Sequence, residues 1–288
     1  MKVGVGLPST IPGVDRDSLL TWASKAEERG FSTLGTIDRV VYGNYESLIA
    51  LAAAAAVTER IRLTTDILLG PVRGNGAMLA KQAATIDSLS NGRLTLGIAV
   101  GLREEDYTAT ATPYHERGKQ FDAQLAEMNR IWRGAEYGPA GAIGPPPSHP
   151  DGPEVIIGGT VSATFRRVAE HGHGWTMGGG TPDQFREMSE KVKAAWSAAG
   201  REGDPRLIAL CYYGLGEHGE EAATEELGDY YAWLGEDIAG AIIASAATDE
   251  DTIRGYRDAF AEAGADELIC FPTSTDPAQV DLLADAVL

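Results

Sequence analysis

The sequence predicts a (β/α)8 TIM barrel, and three observations carry that expectation. Eight short apolar runs alternate with segments of helical periodicity, nothing between the runs reads as a hairpin, and 288 residues accommodate eight such units. The run Arg93–Gly101 is too apolar to have a wet face, as strands of parallel sheets are. A doubly wound open sheet with a second domain satisfies the same alternation and is the runner-up. The expected organisation is a single barrel domain over residues 1–288.

Lys2–Pro8 alternates Val with Gly and reads as the first strand. Asp17–Gly30 places Leu19, Leu20, Trp22, Ala23 and Ala26 at helical spacing and stops at a glycine behind a basic last turn. Phe31–Ile37 is a second strand, Glu46–Arg60 a helix and Ile61–Leu69 a third strand ended by Pro71. After the loop Arg73-Gly-Asn-Gly76, the apolar positions Met78, Leu79, Ala83, Ile86 and Leu89 mark a helix that Asn91-Gly92 stops, and Arg93–Gly101 follows as the fourth strand. Arg103–Arg117 reads as a long polar loop and Phe121–Trp132 as a helix. Gly134–Pro153, with six Pro and five Gly in twenty residues, reads as an excursion without regular structure. The alternation then resumes with strands Glu154–Ile157, Gly174–Met177, Arg206–Tyr213 and Glu267–Phe271. Helices are expected at Ser162–Gly172, Pro182–Ala199, Glu217–Leu234, Asp249–Gly264 and Pro277–Leu288, with a less regular Ala-rich piece before Asp249.

A formal charge of -18 and a pI near 4.6 exclude nucleic acid as a natural partner, because phosphate binding needs clustered Lys and Arg. Cys211 and Cys270 sit in apolar strands and read as small core residues rather than a redox pair. The N-terminus lacks a signal-type apolar region and no run approaches a membrane span, so a cytoplasmic protein with no membrane contact is expected.

In such a barrel the loops after the strands carry function. Ile156-Ile-Gly-Gly-Thr-Val-Ser-Ala-Thr164 runs from a strand into a helix start: two glycines let backbone N–H groups approach an anion, the helix dipole favours it, and Thr160, Ser162 and Thr164 add hydroxyls. A phosphate site and an ordinary capped turn are equally good readings of that spacing. Gly214-Leu-Gly-Glu-His-Gly219 is a literal G-x-G-x-x-G, but Glu217, Glu220 and Glu221 would repel a pyrophosphate there. Asp38, Arg39 and Tyr42 follow the second strand and could orient a substrate or move a proton, or simply close the rim as an ion pair. His115, Arg73 and Tyr107 are candidates by loop position, His115 for catalysis and the other two for substrate. His171-Gly-His173 lacks a third ligand, so no metal site is expected. Neither a P-loop nor a Ser-His-acid order with a nucleophile elbow is present.

Leu79-Ala-Lys-Gln-Ala-Ala-Thr-Ile-Asp-Ser-Leu-Ser-Asn-Gly-Arg-Leu-Thr-Leu-Gly97 resembles the LAKQAATLDxLSGGRxxLG signature of the bacterial luciferase-like family of flavin- or deazaflavin-dependent oxidoreductases. Gly158-Gly159 with the helix ending His171-Gly-His-Gly-Trp175 is similar to that family's GG…A…GDGW pattern, and Ala263-Gly-Ala-Asp-Glu-Leu-Ile269 to its closing strand, so the likeness covers essentially the whole chain. The resemblance implies a tricyclic cofactor over the C-terminal mouth of the barrel, its phosphate on Gly158, Gly159, Thr160, Ser162 and Thr164. It also implies a non-prolyl cis peptide under the ring, which here would join Asp66 and Ile67. Three positions depart from the pattern. Arg39 stands where many members have His, Val100 where flavin-binding members place a phosphate-binding Arg, and His173 where GDGW has Asp. Losing the first removes a His-based proton transfer and leaves Arg39 to stabilise a developing anion. The second leaves FMN and F420 both open, the acidic tail of F420 calling for basic residues such as Arg73 or Arg103.

The function expected is therefore a luciferase-like oxidoreductase that binds FMN or F420 at the barrel mouth and catalyses monooxygenation or hydride transfer on a small organic substrate. The alternatives are a non-redox barrel enzyme, a hydrolase or aldolase acting on a phosphorylated metabolite, and a non-enzymatic flavin-binding protein. Expected partners are the small-molecule substrate, a flavin reductase or F420-reducing protein, and a second copy in a homodimer.

Overall fold

The structure, a computed structural model, describes residues 1–288. From the N-terminus come β1 (Lys2–Gly6), α1 (Arg16–Arg29), β2 (Thr33–Thr36), α2 (Ser47–Ala55), β3 (Arg62–Leu69), α3 (Gly76–Leu89) and β4 (Leu94–Ala99). Then follow α4 (Glu104–Ala109), α5 (Arg117–Trp132), β5 (Glu154–Gly158), α6 (Ser162–His171), β6 (Gly174–Thr176), α7 (Pro182–Ala198) and β7 (Arg206–Tyr213). The last elements are α8 (Gly219–Tyr231), α9 (Glu236–Ala244), α10 (Glu250–Glu262), β8 (Glu267–Pro272) and α11 (Ala278–Val287). All eight strands pair in parallel and in sequence order, and β8 returns to β1 to close the barrel. The open-sheet alternative is thereby excluded.

Local chemistry sets the helix ends. Asp15 caps α1 by accepting from the backbone of Asp17 and Ser18, and Gly30 ends it in the left-handed region. Thr181 and Gln184 form a reciprocal capping box at the start of α7. Three segments differ from the sequence reading. The polar loop Arg103–Arg117 contains α4, whose first turn holds Glu104, Glu105 and Asp106 against the positive end of the helix, and whose Tyr107 is buried. The acidic helix breaks after Tyr231 into a tight turn, Ala232–Leu234, and the Ala-rich piece becomes α9. Finally, α2 stops at Ala55 rather than Arg60. Thr58 Oγ1 donates back to the Ala54 carbonyl, and the buried Arg93 guanidinium donates to the carbonyls of Ala55, Thr58 and Ile61, so the chain leaves the helix to meet it.

Arg93 also donates to Thr58 Oγ1 and Ser90 O, and thus ties the end of α2, the end of α3 and the start of β3 together. Arg93→Met leaves those buried carbonyls without donors, and a loss of about 2–4 kcal/mol is expected in denaturant unfolding. An unchanged midpoint would show that other groups satisfy them. The Pro/Gly-rich excursion carries no α-helix or strand, only the turn Gly138–Ala140 and an isolated bridge between Glu136 and Ala142. It is tied back to α3, where Lys81 Nζ donates to Gly144 O at 2.6 Å and the Asp87 carboxylate accepts from Ser148 N at 2.7 Å.

The barrel interior is layered. Its N-terminal end is filled by charge: Arg62 donates to Glu154 at 3.0 Å, and Arg206 bridges Glu154 to the fully buried Glu267, which also accepts from Ser32. Each of these carboxylates faces a guanidinium; burial pushes the Glu154 carboxyl up, but the Arg206 charge, the Thr95 hydrogen bond and the Arg62 charge together hold it below its usual range. Above lie Ile156, Ile208, Leu210, Ile269 and Phe271. A Cβ at Gly6 would come within 2.3 Å of the Phe271 ring and one at Gly35 within 2.9 Å, so these two glycines of β1 and β2 make room for the aromatic. Cys211 and Cys270 belong to the outer core between strands and helices as free thiols, their sulfurs 3.7 Å apart. No helix is long and apolar enough to cross a membrane.

Candidate functional site

At the C-terminal end of β5 the chain turns sharply into α6. Gly158 is buried, and a Cβ there would lie 2.2 Å from Ile67 Cδ1. Gly159 adopts φ +124, a conformation other residues avoid, and its Cβ would stand 2.7 Å from Thr164 Oγ1. The turn is held by Gly159 N–H donating to Thr176 O at 3.2 Å and by the Trp175 indole donating to Gly159 O at 2.7 Å. No side chain caps α6 at Val161, so its first backbone N–H groups point outward beside the exposed Thr160 and Ser162, while Thr164 is buried behind them. An anion finds there donors, a helix dipole and a surface shaped by the absence of two side chains. Of the two readings of this turn, the capped one finds no side-chain cap at Val161.

Across the mouth, β3 shifts register between Thr65 and Leu68, and the Asp66–Ile67 peptide is cis. Ile67 is half-buried and lies against Gly158 and Ala99. Asp66 is 3% exposed, and neither carboxylate oxygen meets a partner at ordinary hydrogen-bond distance and angle; the buried Thr176 hydroxyl, likewise unpaired by that geometry, lies close enough to favour the charged carboxylate. Burial, reinforced by the negative charge of Glu267 and opposed by Thr176 and Arg206, pushes the Asp66 carboxyl up to about 7. A carboxyl that titrates near neutrality and has no structural partner is what proton-handling sites contain.

The rim residues fall into two groups. Asp38 does not pair with Arg39, as an ion pair within the loop would require. It is 3% exposed; its two oxygens accept from the single Nη2 of Arg73, at 2.7 and 2.8 Å, and it accepts also from Leu69 N at 2.9 Å and from Ser47 Oγ at 3.2 Å. Arg73 is further bound by Glu46. Arg39 instead lies over the rings of Tyr42 and Tyr230, at 4.4 and 5.4 Å, and donates to Tyr230 O. Tyr42 donates to Asp229 at 2.5 Å. Arg103 donates to Asp106 and to Asp38 O and faces the rings of Tyr230 and Trp233, while Asp106 accepts from Val40 N and Val41 N. These contacts tie the β2 loop, α4 and α8 into a roof beside the mouth. Tyr107 is buried with its hydroxyl on Val100 O, and burial pushes that phenol up to about 12; Val100 itself is half-buried. His115 stands apart on the exposed turn Tyr114–Glu116, its ring edge-on to Tyr114.

Residues the sequence reading passed over also reach the mouth: Thr176 at the end of β6, Tyr212 on β7, Tyr231 at the end of α8 and Trp233 just beyond it. Strand alternation held a signal for Tyr212, since it shares parity with the inward Ile208 and Leu210. Gly214 and Gly219 approach so closely that a Cβ on Gly219 would meet Gly214 O at 2.0 Å, and Leu215 is clamped by Gln279, so that motif is packing. His171 meets Asn129, and His173 Nδ1 accepts from Val155 N. No cluster of three His, Cys, Asp or Glu side chains is arranged for a metal. A cleft of about 700 Å3 opens between the loop after β3, the segment after α4 and α5, with Pro71, Asn75, Thr112 and Gln124 in its walls, and neither Asp66 nor the Gly158–Gly159 turn lines it.

Barrel, mouth and turn together define a luciferase-like barrel. The chain belongs to the luciferase-like monooxygenase family, whose profile matches residues 1–269. An uncharacterized protein of Mycobacterium tuberculosis is 33% identical over 174 residues, 56% of this chain, and the match spans 60% of that relative's length. A second from the same organism is 30% identical over 209 residues, 62% of this chain and 71% of the relative. Among solved structures, a monooxygenase from Streptomyces bottropensis superposes with TM-score 0.79 at 23% identity over 99% of this chain and 98% of that one. An F420-dependent secondary alcohol dehydrogenase, solved with an F420–acetone adduct, gives 0.80 at 15% identity over 99% and 98%. The oxygenating constituent of 3,6-diketocamphane monooxygenase from Pseudomonas putida, solved with FMN, gives 0.76 at 17% identity over 99% and 96%. At these identities the superpositions speak for the fold.

Proposed function

We propose that this chain is an oxidoreductase that binds a flavin or deazaflavin, FMN or F420, at the C-terminal mouth and performs monooxygenation or hydride transfer on a small organic molecule. The observation that carries the reading is the buried, unpartnered Asp66 carboxyl facing a glycine-cut anion turn across one end of the barrel. The solved relatives named with F420 and FMN support it. When bound, such a cofactor supplies hydride transfer or, with oxygen, oxygenation.

The chain's own groups have separable tasks. Gly158, Gly159, Thr160, Ser162 and Thr164 would hold the phosphate, and Ile67, packed on Gly158, and Val100 would offer the ring an apolar surface. Asp66 would donate a hydrogen bond to the bound group below about pH 7 and accept one above it. Asp38, Arg39, Tyr42 and Arg73 shape the substrate side through the roof, with Tyr107 beneath it and His115 at its outer edge. Arg73 and Arg103 are already bound to Asp38, Glu46 and Asp106, which leaves an acidic tail no unpaired cation from that pair.

Titration of the purified protein with FMN and with F420, followed by fluorescence, tests the reading. Binding of one of them at tens of micromolar or tighter is expected. Binding of neither sinks the redox assignment and leaves the anion turn to a phosphorylated metabolite; binding without turnover of the reduced cofactor points to storage.

A further inference from the structure

Beside the mouth, between β7 and the helices α9 and α10, lies a cavity of about 300 Å3. Ten of its 14 lining residues are hydrophobic, Leu210, Trp233, Ile242 and Phe260 among them, and none carries a charge. Of its polar side chains, Tyr256 donates to Ser245 O and Ser245 Oγ to Ile242 O, which leaves a pair of phenols. Tyr212 and Tyr231 share a hydrogen bond of 2.5 Å between their hydroxyls. In such a pair one O–H is consumed by the other oxygen, and the second O–H remains free to donate. Burial holds both phenols above their ordinary value, so the pair presents a neutral donor throughout the physiological range. Tyr212 also joins this cavity to the proposed cofactor site, since it lies on the inner face of β7 near enough to Asp66 to feel its charge.

We infer that this cavity is the substrate pocket and that it takes a compact, neutral, largely apolar molecule carrying one hydrogen-bond acceptor, a ketone in the first instance, whose oxygen the Tyr212–Tyr231 pair holds. The assignment of this ligand as substrate rests on the oxidoreductase reading; its binding does not. The size follows from the volume, which equals roughly ten water shares of liquid and suits about a dozen non-hydrogen atoms. The neutrality follows from the walls, because a carboxylate moved into an uncharged cavity loses its hydration and gains no cation. The net charge of -18 repels anions at longer range as well.

Matched probes test this on the cofactor-free protein. 4-Isopropylacetophenone, 4-isopropylbenzoate and the acceptor-free p-cymene have nearly the same shape and are titrated by calorimetry and by tryptophan fluorescence, Trp233 being in the wall. The ketone is expected to bind at least tenfold more tightly than the benzoate. Replacing both phenols, Tyr212→Phe together with Tyr231→Phe, should weaken the ketone about fivefold and leave p-cymene unchanged, whereas either single change leaves one hydroxyl to donate. Ser245→Trp, which fills the cavity from an exposed position at the end of α9, should weaken both neutral probes at least tenfold with circular dichroism unaltered. Equal binding of ketone and benzoate, binding insensitive to Ser245→Trp, or no ketone binding up to its solubility overturns the inference. A protein that binds the ketone but neither FMN nor F420 keeps the pocket and loses the redox reading, so the two fail separately.

Discussion

Asp66→Asn is expected to raise the stability of the folded chain by roughly 4 kcal/mol at pH 8, measured without cofactor. The native carboxyl is moved from an ordinary 3.8 to about 7, chiefly because burial penalises its charge. Between those two values the folded state holds a proton that the unfolded state has released, so stability falls as pH rises. Below about pH 4 both states are protonated and no penalty exists; above about pH 7 both are ionised and the penalty is complete, on the order of 4 kcal/mol for a displacement of this size. The amide keeps the shape and removes the charge. Denaturant unfolding of both proteins from pH 4 to pH 9 should therefore show curves that diverge through pH 4–7 and run parallel above. Parallel curves throughout would place the carboxyl in an ordinary environment and remove Asp66 from any proton-handling role. A side chain that lowers stability at working pH and satisfies no partner is the pattern of a group retained for activity.

Gly159→Val should weaken FMN or F420 binding at least tenfold. Two effects act together. A branched residue resists φ +124, and its Cβ would stand 2.7 Å from Thr164 Oγ1, so the turn must rebuild and the N–H groups at the start of α6 lose their alignment. Because a tenfold change corresponds to about 1.4 kcal/mol, loss of a single good charge-assisted hydrogen bond suffices. An unchanged affinity in a variant that melts like the parent would move the phosphate to another loop.

The barrel was legible because strands such as β4, β5 and β8 are apolar along their length and helices such as α1 carry their own stop. The family was legible for a related reason. Lys81, Asp87 and Arg93, the polar residues of the recognisable α3 segment, bind Gly144 O, Ser148 N and the loose carbonyls of α2, so they maintain the frame and contact no site residue. The anion turn could be read because its glycines, hydroxyls and helix start are contiguous. The rim could not. Asp38 looks for a partner beside it in the chain and finds it 35 residues away in Arg73, while the neighbouring Arg39 turns to the aromatic faces of Tyr42 and Tyr230. The phenol pair is hidden for the same reason, since Tyr212 and Tyr231 come from a strand and a helix whose approach no periodicity announces. The α4 helix was missed because a six-residue helix has too few apolar positions to display a period.

The charged layer formed by Arg62, Glu154, Arg206 and Glu267 fixes how the molecule exchanges its ligands. It stops the N-terminal end of the barrel with ion pairs that no small molecule displaces without stranding a charge, so traffic to Asp66 is confined to the opposite end. On the proposed reading, a ring seated on Gly158 and Ile67 would stand in the doorway as well as at the workplace. Arrival and departure would then be sequential, and cofactor affinity and substrate access would be coupled by geometry before any chemistry begins.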